Sequence, residues 1–137
     1  MQIPGRRGLR VYVDAKILNM HDPSLQREAY VGYVVEGGGR RNVRRVEAQE
    51  SDDAEVLAIL FAIEELGSLG RFTVVCDHES VVSEARRDRV RNPSELLQKL
   101  REALRLHPKV RLEALQSNPA HQVVTEYVNL LKTPEEN

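Results

Sequence analysis

The apolar positions of this chain change their period once, near Ser51, and that change bounds what it can fold into. Before it, Leu9–Ala15, Glu28–Glu36 and Arg40–Ala48 alternate with a period of two and are rich in Val and Tyr, the mark of half-buried strands. The polar stretch Asn19–Gln26 links the first two, and Gly37-Gly38-Gly39 offers a hairpin turn to the next. Links this short favour an antiparallel meander. After Ser51 the period is helical. Ser51 and Asp52 stand as N-caps before Ala54–Leu66, and Gly67 closes that helix. Phe72–Asp77 is short and continuously apolar, as in a strand covered on both faces. Glu79–Arg87 reads as a short helix. Asn92, Pro93 and Glu95 then supply a cap, a first helical residue and a third, ahead of a face made by Leu96, Leu97, Leu100 and Leu104. Val110–Leu115 is a fifth strand. Asn118-Pro119 opens a last helix with Val123, Val124, Tyr127, Val128 and Leu131 as its stripe.

The order βββαβααβα with right-handed crossovers predicts an α/β domain over residues 9–131. Its sheet is mixed and five-stranded, three strands antiparallel and then two parallel, flanked by helices. Residues 1–8 and 132–137 read as flexible ends. At 137 residues there is room for one core and not for two.

Charge excludes a polycation: 20 Lys and Arg stand against 21 Asp and Glu. The distribution is uneven, however, with 9 bases and 6 acids in residues 1–50 but 6 bases and 10 acids in residues 51–100. An anionic ligand therefore has a basic N-terminal surface, while carboxylates gather in the middle. Cys76 is the single cysteine, which rules out an internal disulfide and favours a reducing, cytoplasmic compartment. The longest apolar run, Val56–Ile63, is far short of a membrane span, and no membrane association is expected. The histidines His21, His78, His107 and His121 include no pair at ligand spacing, which argues against zinc.

Two strands carry matching acidic tips, Val11-Tyr12-Val13-Asp14 and Val74-Val75-Cys76-Asp77. If these strands are parallel neighbours, about 4.8 Å apart, both side chains converge at a switch point of the sheet. The alternative for each is an ordinary turn-forming or capping Asp. Glu55 is the third candidate, one turn before Ile59 on an apolar stripe, where a lone carboxylate is costly. Its alternative is a capping box with Asp52. Three carboxylates at close range need either a retained proton or a divalent cation. Oxygen ligands without paired His or Cys point to Mg²⁺ or Mn²⁺. Such ions activate water and stabilise a leaving oxygen in phosphodiester displacement.

These segments resemble the ribonuclease H family, over nearly all of residues 9–131. Val11-Tyr12-Val13-Asp14-Ala15 is similar to its first-strand Asp motif. Ser51-Asp52-Asp53-Ala54-Glu55-Val56-Leu57-Ala58 is similar to its Glu-bearing helix opening. Val74-Val75-Cys76-Asp77, with His78-Glu79-Ser80-Val81-Val82 behind it, is similar to its fourth strand and the helix that follows. The resemblance implies a metal-dependent endonuclease that cuts the RNA strand of an RNA–DNA hybrid, with Asp14, Glu55 and Asp77 as metal ligands. The family's fourth carboxylate opens the last helix in an Ala-Asp-x-Leu-Ala-like pattern. Thr125-Glu126-Tyr127-Val128-Asn129 is the stretch matched to it, which nominates Glu126. His121 corresponds either to the mobile residue some members use for product release or to a plain polar helix position. Ser51 and Asp52 occupy the place where members commonly offer Asn side chains to substrate, and Asp52 adds a charge there. Arg40, Arg41, Arg44 and Arg45 form either a phosphate-contacting surface or a solvated guard on an edge strand. Two other functions fit the same frame: a catalytically weak or inactive nucleic-acid-binding module, and a nuclease acting on branched DNA.

Overall fold

Strand β1 (Leu9–Leu18) is the hinge between the antiparallel and parallel parts of the sheet. On one side it pairs antiparallel with β2 (Glu28–Val35), which pairs antiparallel with β3 (Arg41–Val46). On the other it runs parallel to β4 (Phe72–Cys76), and β4 runs parallel to β5 (Val110–Ala114). The sheet order is β3-β2-β1-β4-β5, the mixed arrangement that the strand and helix order predicts. The helices are α1 (Ser51–Leu66), α2 (Glu79–Arg86), α3 (Glu95–Leu106) and α4 (Ala120–Lys132). The computed structural model describes residues 9–19, 21–37, 40–87, 89–91, 93–115 and 119–132. Of the expected flexible ends, 1–8 and 132–137, Lys132 is the last residue of α4; the rest of both ends, the turn glycines Gly38 and Gly39, the caps Asn92 and Asn118 and the side chain of the stripe residue Leu131 lie outside what is described.

Alternation along the strands sorts side chains between two layers. Val11, Val13, Val31 and Tyr33 join Ile59, Leu66, Phe72 and Leu100 in the main core, beneath α1. Tyr30 faces the other way and packs with Val124 and Val128 of α4. Helix α1 is buried nearly all round because the sheet covers one side and α3 another. That is why its apolar residues extend beyond a single stripe. At Gly32 the two layers meet most closely: a Cβ there would lie 2.6 Å from Val124 Cγ2 and 3.2 Å from the Asn42 carbonyl oxygen. Only a missing side chain lets α4 settle onto β2. We expect Gly32→Ala to overpack this contact at a cost of about 1–3 kcal/mol. Thermal unfolding reads it directly, and an unchanged midpoint would mean that α4 moves freely over the sheet.

Three local expectations need correcting. β1 does not end at Ala15; Lys16, Ile17 and Leu18 stay in register with Tyr30, Ala29 and Glu28. A partner strand sustains the extension where propensity alone gives no reason for it. Helix α1 begins at Ser51 with Glu50 as its N-cap and no side-chain capping bond, so the Asp52–Glu55 capping box does not form. Helix α3 is capped by Ser94, whose hydroxyl accepts from the Leu97 N–H at 3.1 Å. Ser94→Ala is expected to lower stability by about 1 kcal/mol, read as a shift in the denaturant midpoint.

Candidate metal centre

Strand register brings the two acidic tips level. Tyr12 pairs with Val75, and two residues further on stand Asp14 and Asp77. Strand β4 stops at Cys76, so Asp77 leaves the sheet and is exposed, while β1 continues past it and buries Asp14 to 4 % exposure. Asp14 pairs with Gly32 and therefore points towards α4. There its Oδ2 lies 2.9 Å from Nδ1 of His121, the second residue of that helix. Glu55 enters from the other layer, on the first turns of α1, and is 2 % exposed. Its Oε1 is buried without a hydrogen-bond partner. His78 follows Asp77 as the N-cap of α2; its Nδ1 is 3.6 Å from Asp52 Oδ1 and 3.9 Å from Glu55 Oε2. One ligand atom each from Glu55, Asp77 and His78 lies within 4.8 Å of the others, a group that can hold a metal ion.

Burial and mutual repulsion disfavour full ionisation of the cluster. Burial pushes the Glu55 carboxyl up to about 9, and the charges of Asp14, Asp77 and Asp52 push in the same direction. Asp14 is raised as well, by burial and then by Asp77, against the lowering effect of its His121 hydrogen bond. Without a bound ion, Glu55 therefore keeps its proton at neutral pH. Cys76 lies beside the cluster as a buried thiol pushed up to about 12 by burial, too weak an acid to act as a nucleophile or ligand.

Solved structures share this architecture. The LC11 ribonuclease H1, isolated from compost by a metagenomic approach, superposes with a TM-score of 0.70 over 91% of this chain and 98% of its own, at 17% identity. The same enzyme in complex with an RNA/DNA hybrid gives 0.69 over 90% and 98%, at 18% identity. The chain has the ribonuclease H-like fold. A foamy viral protease-reverse transcriptase, solved with dsDNA, shares it too, at TM-score 0.69, 95% coverage of both chains and 13% identity. No protein-family model and no curated protein sequence matches the chain.

In this ribonuclease H-like frame the predicted residues separate into those that meet and those that do not. Asp14, Glu55 and Asp77 come together, each close enough for its charge to act on another. Glu126 does not join them. It is exposed and accepts a hydrogen bond from Gln122 Nε2 at 3.2 Å. The buried stripe of α4 is set by Val124 and Val128, and a residue two positions from each lies about 200° around the helix. His121 instead flanks that stripe and reaches Asp14. The helix thus brings His121, and not Glu126, to the acidic cluster.

Arg40 and Arg44 are also engaged elsewhere. Arg44 stacks 4.4 Å over the Phe61 ring and pairs with Glu64 at 3.2 Å, and Arg40 donates to the Glu65 carbonyl at 3.3 Å. Both guanidiniums, that of Arg44 on β3 and that of Arg40 just before the strand, reach the far end of α1, away from its acidic start. Ser51 and Asp52 are exposed at that start, with Asp52 turned towards His78. His78 is not found by weighing histidines only on their spacing from one another. The signal that sequence does offer is its position, next to a strand-end Asp and opening a helix.

Proposed function

We propose that this chain is a metal-dependent nuclease that hydrolyses the RNA strand of RNA–DNA hybrids. The observation that carries the reading is the orphaned Oε1 of Glu55, almost wholly buried beside Asp14 and Asp77. Buried beside two other acids, that carboxyl is costly to ionise, so it either keeps its proton or is met by a divalent cation, and the second state is the one hydrolysis requires. Asp14, Glu55 and Asp77 fit divalent ions by donor type, and they would hold Mg²⁺ or Mn²⁺. A bound ion there supplies an acidified water and offsets charge on the phosphate. The protein's own residues do the rest. Asp77, exposed past the end of β4, opens the centre to a duplex, while buried Asp14 and Glu55 keep its floor rigid. His121 is exposed over most of its ring and holds the orientation of Asp14. Hybrid as the substrate is supported by the superposed LC11 enzyme, whose structure contains one.

The test is a panel of end-labelled RNA–DNA hybrid, duplex DNA and four-way junction, each incubated with Mg²⁺, Mn²⁺ or chelator. We expect internal cleavage of the RNA strand of the hybrid, only with a metal present. Cleavage that persists in chelator overturns the metal mechanism. Preferred cutting of the junction overturns the substrate, and salt-sensitive hybrid binding without turnover reduces the protein to a binding module. Among the described residues no helix is long and apolar enough to cross a membrane.

A further inference from the structure

We propose that His78 is itself a metal ligand, making this centre a mixed nitrogen–oxygen site that favours Mn²⁺ and other imidazole-accepting divalent ions over Mg²⁺. His78 is placed as the N-cap of α2, with extended backbone at φ −103° and ψ 92°, yet its side chain caps nothing. The ring turns from the helix towards the carboxylates, and Nδ1 is buried without a hydrogen-bond partner although the side chain as a whole is 31% exposed. Two carboxylate oxygens near it, at 3.6 Å on Asp52 and 3.9 Å on Glu55, are too far for hydrogen bonds. Glu55 Oε1 and His78 Nδ1 are thus both orphaned, and the two residues belong to one small cluster. Ligands held about 2.1 Å from a shared ion stand roughly 3–3.5 Å apart, and these atoms, within 4.8 Å of one another, would draw together on binding.

The chemistry then selects the ion. Mg²⁺ takes oxygen and gives up its waters reluctantly, whereas imidazole suits the first-row transition metals. A second role for His78, as an imidazolium balancing Asp52 and Glu55, makes the opposite prediction. A cation in that position would be repelled by a bound divalent ion and would leave its coordination sphere.

This inference rests on the metal-centre reading but not on turnover, so it is tested with Mn²⁺ alone and no nucleic acid. Mn²⁺ binding to the full chain is followed by loss of the free-ion EPR signal, and ligation by pulsed EPR, which detects a directly bound ¹⁴N. We expect nitrogen coupling in the wild type that disappears in both His78→Asp and His78→Gln. His78→Asp, which substitutes oxygen for nitrogen, should also lower the Mn²⁺ preference over competing Mg²⁺ roughly tenfold or more, the least that disturbing a metal's surroundings costs. His21→Ala, in an exposed loop, should change neither reading. Bound Mn²⁺ without nitrogen coupling overturns the His78 assignment alone. Coupling that survives both His78 variants and vanishes in His121→Ala overturns it too. An absence of Mn²⁺ binding overturns the metal centre along with it.

Discussion

Glu55→Gln is expected to abolish hydrolysis and, in the metal-free protein, to raise stability at neutral and alkaline pH. The two effects share one cause. The carboxyl sits almost fully buried, and its folded-state value near 9 lies well above the ordinary 4.5. Below pH 4.5 both folded and unfolded chains hold the proton, and the group contributes nothing to the pH dependence. Between 4.5 and 9 the unfolded chain releases a proton that the native state retains, so stability falls as pH rises. Above that window the penalty is constant. At roughly 1.4 kcal/mol for each pH unit crossed inside the window, the accumulated penalty at about pH 8 is on the order of a few kcal/mol. Asp14, also raised, adds to the same slope at lower pH. Gln keeps the shape and has no charge to bury, so the variant should melt at nearly the same temperature at pH 5 and pH 8. The wild type in chelator should melt distinctly lower at pH 8, and Mn²⁺ should reverse that loss because it binds only the folded cluster. Turnover of hybrid should fall more than roughly 100-fold in Glu55→Gln, Asp14→Asn and Asp77→Asn alike, beyond what outer-shell partners cost. A wild-type melting temperature that is flat across this window would mean the carboxyl is hydrated or already paired, and the case for a cation would lose its support.

The parts of the site legible in the sequence are those fixed by strand geometry. Asp14 and Asp77 end matching apolar runs, and once β1 and β4 lie parallel their tips have no choice but to come level. Glu55 stands out because a carboxylate on the apolar stripe of a buried helix needs a reason. What is not legible depends on contacts between elements. Lys16–Leu18 are held in strand geometry by β2, a partner that local pattern cannot supply. The phase of α4 misleads because Tyr127 looks like part of the buried stripe, whereas it is 38% exposed and the covered face runs through Ala120, Val124 and Val128. An apolar stripe drawn through Tyr127 brings Glu126 closer to the sheet and moves His121 away from it, the reverse of what the fold does. Spacing along the chain suits ligands that share one helix or loop. Here the end of β4 carries His78 and α4 carries His121 to the cluster from opposite layers of the fold, at no characteristic spacing. Arg40 and Arg44 belong to the same class: an edge strand's charge is visible in sequence, but its engagement by Glu64, Phe61 and the Glu65 carbonyl is not.

The corrected phase of α4 makes a second prediction that separates two residues five positions apart on one helix. His121→Ala removes the only side chain among the described residues shown to hydrogen-bond Asp14, leaving the buried carboxylate with its Ala15 backbone bond. A lost bond of that kind costs about 1–3 kcal/mol in the metal-free protein. It should also lower hybrid turnover roughly 10–100-fold, since Asp14 would no longer be held in one orientation. Glu126→Gln touches only a solvent-exposed pair with Gln122 and should stay within about 0.5 kcal/mol and near wild-type turnover. His121→Asp distinguishes orientation from charge. It sets a second carboxylate beside Asp14, so the metal-free protein should be destabilised more than by Ala, while the rise in melting temperature on adding Mg²⁺ should exceed that of the wild type. Melting curves with and without metal, paired with initial rates on labelled hybrid, measure all three. The reverse pattern, with Glu126→Gln inactive and His121→Ala unaffected, would mean that α4 presents its other face to the centre when substrate is bound, and that the imidazole at Asp14 is a resting contact and not part of the site.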